Sequence, residues 1–177
     1  EAKLEELFTK LDQLQADDTL VLAGSIPKTL PDDIYQQIMA RLNGKGIRII
    51  VDAEKKLLLN VLQYHPFLIK PNNHELGDMF GVTLTTDAEI IEYAKKLQAK
   101  GAQNVLISMA GDGAILLTTD GTTYKCPAPK GKLVNSVGAG DSMVAGFITG
   151  FNESAGDFKT AFHMGVAGVA WATFLCQ

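Results

Sequence analysis

Short, unbroken apolar runs recur along the chain, each followed by a segment of helical period, and this alternation most restricts the fold. TLVLA runs into Gly24, IRIIV into Asp52, FLI into Lys70 and NVLI into Ser108. A run that is apolar at every position has no face to give to water, so it predicts a strand covered on both sides. Between the runs, apolar residues return at helical spacing. Leu4, Leu7, Phe8, Leu11 and Leu14 do so at the start, and residues 54–64, 74–81 and 87–101 do so later. Pro31, Asp32 and Asp33 open another helical segment that the Asn43-Gly44 pair stops. Strands alternating with helices predict an α/β fold: a three-layer, doubly wound, mostly parallel sheet with helices on both faces.

The region 104–126 breaks the alternation. NVLISMAGDGAILLTTDGTTYKC reads as strand, glycine-rich turn, strand, tight turn at Asp120-Gly121, strand. After a loop with Pro127 and Pro129 the chain becomes helical again from about residue 139, and a second helix opening near residues 152–157 runs to the end.

In sheets of this class, ligands sit beyond the carboxyl ends of the parallel strands. The polar or glycine-rich stretches GSIPK, KPNNHE, SMAGDG and NSVGAGD all follow predicted strands or open a helix, so they are predicted to share that rim.

NSVGAGDSMVAGF, residues 135–147, carries the most chemistry. Gly138 and Gly140 let the backbone turn tightly and approach a ligand. Met143, Val144, Phe147 and Ile148 then resume helical spacing, so the turn opens a helix. The first amides of a helix lack helical acceptors and sit at the positive end of its dipole, which makes an anion site. Asp141 lies just inside that start, where the charged form of a carboxylate is favoured. It is suited to bind a metal or to accept a proton from an attacking hydroxyl; an acidic cap with glycines kept for packing is the competing reading. The segment is neither GxxxxGK[ST] nor GxGxxG.

The same segment is similar to the second signature of the ribokinase-like (PfkB) carbohydrate kinases, whose core reads GAGD before a helix. The resemblance implies that Asp141 is the catalytic base and that Gly138, Ala139 and Gly140 form an anion hole for the terminal phosphate of ATP. KPNNHEL, residues 70–76, resembles the family's N-x-x-E element. This implies that Asn72 and Glu75 organise Mg²⁺ and its waters, with Lys70 and Asn72 beside the nucleotide. From the residues alone, Asn72 and Glu75 also fit a capping box, and both roles are compatible. Ser108, Ala110, Gly111, Asp112, Gly113 and Ala114 resemble the strand-end loop that lies along ATP, with Gly111 and Gly113 allowing close approach of the nucleotide; a plain turn between strands is the alternative.

The resemblance covers the chain from Leu20 to about Gly168. It implies phosphoryl transfer from ATP to a sugar phosphate. Together with GSIP at residues 24–27, the motifs point to fructose 1-phosphate as acceptor and fructose 1,6-bisphosphate as product. Tagatose 6-phosphate, or a nucleotide-binding module of the same fold without catalysis, are the alternatives. Lys28 is placed to face the sugar phosphate or simply to meet solvent.

Composition agrees with this class. The chain has 177 residues and a formal net charge of −4, which suits one domain and argues against nucleic acid as main partner. No apolar run is long enough to cross a bilayer, and the charged opening EAKLEELF is not a signal peptide. Cys126 and Cys176 fit no metal or redox spacing. A cytoplasmic protein with reduced thiols is the expectation. The chain lacks an initiator Met and closes inside an apolar helical pattern. It therefore reads as a single nucleotide-binding and catalytic domain, residues 1–177, partial relative to the family fold. The lid and first strands of that fold are expected elsewhere, and with them a homodimer contact made through the lid.

Overall fold

The computed structural model describes residues 2–131 and 136–174. Asn135 and Cys176 lie outside them. The described residues form one six-stranded sheet between two helical layers. The strands are β1 (Thr19–Ala23), β2 (Arg48–Asp52), β3 (Leu68–Ile69), β4 (Asn104–Ser108), β5 (Ala114–Leu117) and β6 (Thr123–Cys126). They lie side by side in chain order. β1 to β4 are parallel, and β5 runs antiparallel to both of its neighbours, β4 and β6.

This order explains the layers. Four parallel strands stepping in one direction, each joined by a right-handed crossover, put every crossover helix on the same face. That face carries α1 (Ala2–Leu11), α2 (Ile34–Leu42), α3 (Lys55–Val61), α4 (Asn73–Phe80) and α5 (Asp87–Ala99). Their core joins Phe8, Ile38, Leu58, Leu76 and Leu97 to Leu22, Val51, Ile69, Val105 and Ile107 of the sheet. The opposite face is covered by α6 (Ala139–Glu153) and α7 (Phe158–Phe174), which follow the antiparallel strands. There Met143, Val144, Phe147 and Phe162 meet Ile50, Leu68 and Leu106. In β2 to β5 alternate strand residues thus feed two cores, as apolar runs buried on both faces require; β1, at the sheet edge, departs from that expectation, with Leu22 buried on one face but Val21 and Ala23 exposed on the other. The mostly parallel sheet with helices on both faces is as predicted. The winding of the second face comes from α6 and α7 rather than from a reversal of strand order within these residues.

Several boundaries differ from the sequence reading by a few residues, two of them for a clear local reason. The helix expected to open at residues 31–33 begins at Ile34, because Pro31 to Asp33 form a turn in which the Ile34 amide donates to the Pro31 carbonyl. β3 is only two residues long, because Pro71 has no amide to extend the ladder past Lys70.

Local caps hold the helices that frame the rim. Asn72 Oδ1 accepts from the Glu75 amide and Glu75 Oε2 accepts from the Asn72 amide, both at 2.8 Å. Thr86 and Glu89 make the same reciprocal arrangement at the start of α5. Hydrogen bonds from the Thr85 and Thr86 amides and hydroxyls hold the Glu89 carboxyl down to about 2. A folded-state pKa below the unfolded one means that the contribution is present above the ordinary glutamate pKa and is lost as pH falls through the folded value. The unfolding midpoint of the Glu89→Gln chain should therefore fall less steeply between about pH 5 and pH 2 than that of the parent. Thermal denaturation across that range reads the difference, and identical slopes would contradict it.

Candidate active site

The registers of the parallel strands build the site. Ile50 pairs with Leu68 and Val51 with Ile69, so Asp52 and Lys70 come next, side by side at the carboxyl ends of β2 and β3. Because side chains alternate along a strand, Asp52 and Lys70 share the face of Ile50 and Leu68, the face covered by α6. Ala23 pairs with Asp52, and the Gly24 amide donates to the Asp52 carbonyl at 3.0 Å. Asn72 bridges to Ser108 at the end of β4. The four strand ends thus gather Gly24, Asp52, Lys70, Asn72 and Ser108 on one rim.

From the other side comes the start of α6. Gly138 is its N-cap, at φ 79° in the left-handed region that favours glycine. The Ala139 amide donates to Ser136, and the Ser142 amide to the Gly138 carbonyl. Gly140 sits against the rim: a side chain there would begin 3.0 Å from Lys70 Nζ and 3.7 Å from Asp52 Oδ2. Asp141 is exposed and faces open space. It borders a cleft of about 340 Å³ lined also by Gly24, Ser25, Asp52, Glu54 and Glu75. It also borders a second, apolar hollow of about 200 Å³ beside Val21, Ala23 and Val144.

Lys70 and Asp52 form an ion pair at 3.1 Å, with Lys70 8% and Asp52 21% exposed. Burial pushes the Asp52 carboxyl up; the Lys70 ammonium opposes this, and the negative charges of Asp141 and Glu75 add to it. Tyr35 pins the neighbouring strand end. Its hydroxyl donates to the Ala23 carbonyl at 2.7 Å and lies 3.3 Å from that of Gly24. Burial, with a smaller effect of Asp52, raises the tyrosine pKa and keeps this donor protonated.

The predicted site residues are thus partly brought together. Gly138, Ala139, Gly140 and Asp141 open α6 over the rim, Lys70 lies beneath Gly140, and Glu75 shares the cleft with Asp141. Asn72 is half-buried, its side-chain oxygen engaged with the Glu75 amide. Among the described residues no three His, Cys, Asp or Glu side chains cluster as a metal site. Four carboxylates nevertheless border the one cleft, from Asp52, Glu54, Glu75 and Asp141. That set fits a hard cation that keeps most of its waters and takes its remaining ligands from a bound phosphate.

The loop 108–114 behaves differently at its two ends. Ala110, Gly111 and Asp112 form an exposed single turn, with open space around Gly111. Gly113 and Ala114 are buried. A side chain on Gly113, at φ 94°, would begin 2.0 Å from the Cys126 carbonyl. The close approach that Gly113 permits is therefore to β6 of the chain itself. Tyr35 carries no signal in the sequence, and Asp52, at the end of its apolar run on the predicted rim, reads there either as a neighbour of the site or as a plain strand end. The signal for Asp52 is the strand register, which no local pattern carries. Lys28 is exposed in its loop.

The chain belongs to the pfkB family of carbohydrate kinases, whose family model matches residues 1–174. It is 46% identical over 165 residues to the 1-phosphofructokinase of Bacillus subtilis (strain 168), covering 93% of this chain and 54% of that protein. It is 40% identical over 149 residues to the D-tagatose-1-phosphate kinase of Bacillus licheniformis, covering 84% of this chain and 49% of that one. Among solved structures, one from Staphylococcus aureus, provisionally described as a phosphofructokinase, superposes with a TM-score of 0.90 at 41% identity. It covers 97% of this chain and 56% of that one. The chain spans about half the length of the curated relatives it matches. Among the described residues, no helix is long and apolar enough to cross a membrane.

The contrast within the 108–114 turn is measurable. Gly113→Ala should cost at least ~2 kcal/mol, from a strained backbone and a clash with β6. Gly111→Ala, in open space, should change stability by less than ~1 kcal/mol. Urea unfolding of the two variants compares them, and equal costs would refute this account of the turn.

Proposed function

We propose that this chain is the nucleotide-binding and catalytic part of an ATP-dependent sugar-phosphate kinase. The preferred acceptor is the 6-hydroxyl of fructose 1-phosphate, and the product is fructose 1,6-bisphosphate. The observation that carries the reading is Asp141: an exposed carboxylate in the first turn of a helix, bordering a cleft with the strand ends at Gly24 and Asp52. A relative named 1-phosphofructokinase at 46% identity supports the choice of substrate.

In this reading Asp141 accepts the proton of the attacking hydroxyl as the phosphoryl group is transferred in line. Of the amides in the turn 138–140, that of Ala139 already donates to the Ser136 carbonyl, so those of Gly138 and Gly140 are the ones that face the transferring group and stabilise the charge that develops on it. Lys70 adds a fixed positive charge beneath the same turn. The exposed part of the 108–114 loop, with Ser108, lies along the nucleotide. Mg²⁺, when bound with ATP, neutralises phosphate charge, and Asn72 and Glu75 hold its waters. Their capping box fixes both side chains before any ligand arrives. The same reading takes the domain as one unit of a larger cytoplasmic protein that pairs through a lid outside this chain.

A second acceptor is favoured by one observation: a relative 40% identical is named for D-tagatose 1-phosphate. That ketohexose phosphate carries its phosphate at the same end as fructose 1-phosphate, which moves the expected alternative away from tagatose 6-phosphate. Turnover of the full-length protein with ATP and each of fructose 1-phosphate, tagatose 1-phosphate, tagatose 6-phosphate and fructose 6-phosphate decides among them. Fructose 1-phosphate should give the highest kcat/KM. ATP binding without turnover on any of the four would leave a nucleotide-binding module instead. In the same protein, Asp141→Asn should lower kcat about 10²- to 10⁴-fold while MgATP still binds. Near-normal turnover in that variant would remove Asp141 from the role of base.

A further inference from the structure

The buried charge of Lys70 and the half-buried charge of Asp52 are hard to explain by stability. An ammonium at the start of a helix faces the positive end of its dipole, which is unfavourable. A buried ion pair also contributes little that a neutral, well-packed pair would not. Yet Lys70 is 8% exposed, paired to Asp52 at 3.1 Å. Its ammonium lies against Gly140, where even a methyl group would begin 3.0 Å from Nζ. The backbone holds both partners as well. The Lys70 amide donates to Val51 at 3.2 Å, and Asp52 accepts from Gly24 through its carbonyl. The cation is thus fixed from below, and the absence of a side chain at residue 140 leaves room for it.

We infer that Asp52 is a positioning residue that acts through Lys70, holding its ammonium under the first turn of α6 where a phosphate anion docks. The inference rests on the reading of that turn as a phosphate site. Asp52 belongs to no motif in the sequence, and it reaches Lys70 only because β2 and β3 pair in this register. An anion arriving over residues 138–140 then meets amides and a preset cation together, so neither has to be ordered when it binds.

A double-mutant cycle in the full-length protein tests this, with Asp52→Asn, Lys70→Met and the two combined. Calorimetric titration with MgATP is the primary readout. Asp52→Asn should weaken MgATP about tenfold and raise the KM for ATP to match, while the KM for the sugar phosphate stays within about twofold. In the Lys70→Met background, Asp52→Asn should have no further effect on MgATP affinity. The double variant, whose neutral pair leaves no buried charge uncompensated, should retain the parent's thermal midpoint within a few degrees. Additive losses would overturn the inference, because Asp52 would then act on the ligand or its metal directly. A lowered thermal midpoint in Asp52→Asn with unchanged MgATP affinity would overturn it too, leaving a purely structural pair. Because the readout is binding, the two proposals separate. A non-additive cycle without turnover would sink the kinase reading and keep this one, and failure of the parent protein to bind MgATP would sink both.

Discussion

The packing of α6 on the sheet is the interaction on which the rest depends. Phe147 is fully buried among Ile50, Leu68 and Leu106, with Phe67, Phe151 and Phe158 around it. Burying an aromatic side chain of that size contributes about 2–3 kcal/mol, but its larger consequence is direction. The helix is held along the sheet so that its first turn, rather than its last, meets the carboxyl ends of β2 and β3. Reversed, it would present carbonyls and a negative dipole end to an already acidic cleft, and no anion would bind.

The second helix of that layer fixes the approach more tightly. Side chains on Gly146 and Gly150 would begin 2.5 Å from the Met164 carbonyl and 2.8 Å from Ala161 Cα; one on Gly168 would begin 2.7 Å from the Ser142 carbonyl. α6 and α7 therefore meet backbone to backbone, and α7 bears directly on the turn that holds Asp141 and Ser142. Close-packed interiors transmit small displacements rather than absorbing them. The glycines along this seam thereby set where Asp141 sits.

The cleft itself combines opposite tendencies. Asp52, Glu54, Glu75 and Asp141 make it acidic, and burial, reinforced by the negative charges of Asp141 and Glu75, raises the Asp52 carboxyl. The helix start and Lys70 supply positive potential at one side only. A site divided in this way suits a ligand that is itself divided: a metal-bound polyphosphate, with cation toward the carboxylates and anion toward the amides.

Much of this was legible in the order of the residues. Apolar runs alternating with helical periods are enough to specify the sheet and its two covers, since the central strands must bury both faces, although the same pattern in TLVLA overstated the cover of the edge strand β1. NSVGAGD identifies its own turn and helix because a glycine turn followed by renewed helical spacing is a local arrangement. The Asn72–Glu75 capping box is equally local. Where local rules compete, the reading slipped by a few residues, as at Pro31–Asp33. Gly113 was legible as a glycine that something must approach closely, but not as one approached by β6. What tertiary structure alone decided is the meeting of distant segments: Asp52 beside Lys70, both under Gly140, and Tyr35 pinning the end of β1. Those neighbours are set by strand register and by the seating of α6, and a hydrogen-bonded ladder between segments far apart in the chain leaves no trace in either segment by itself.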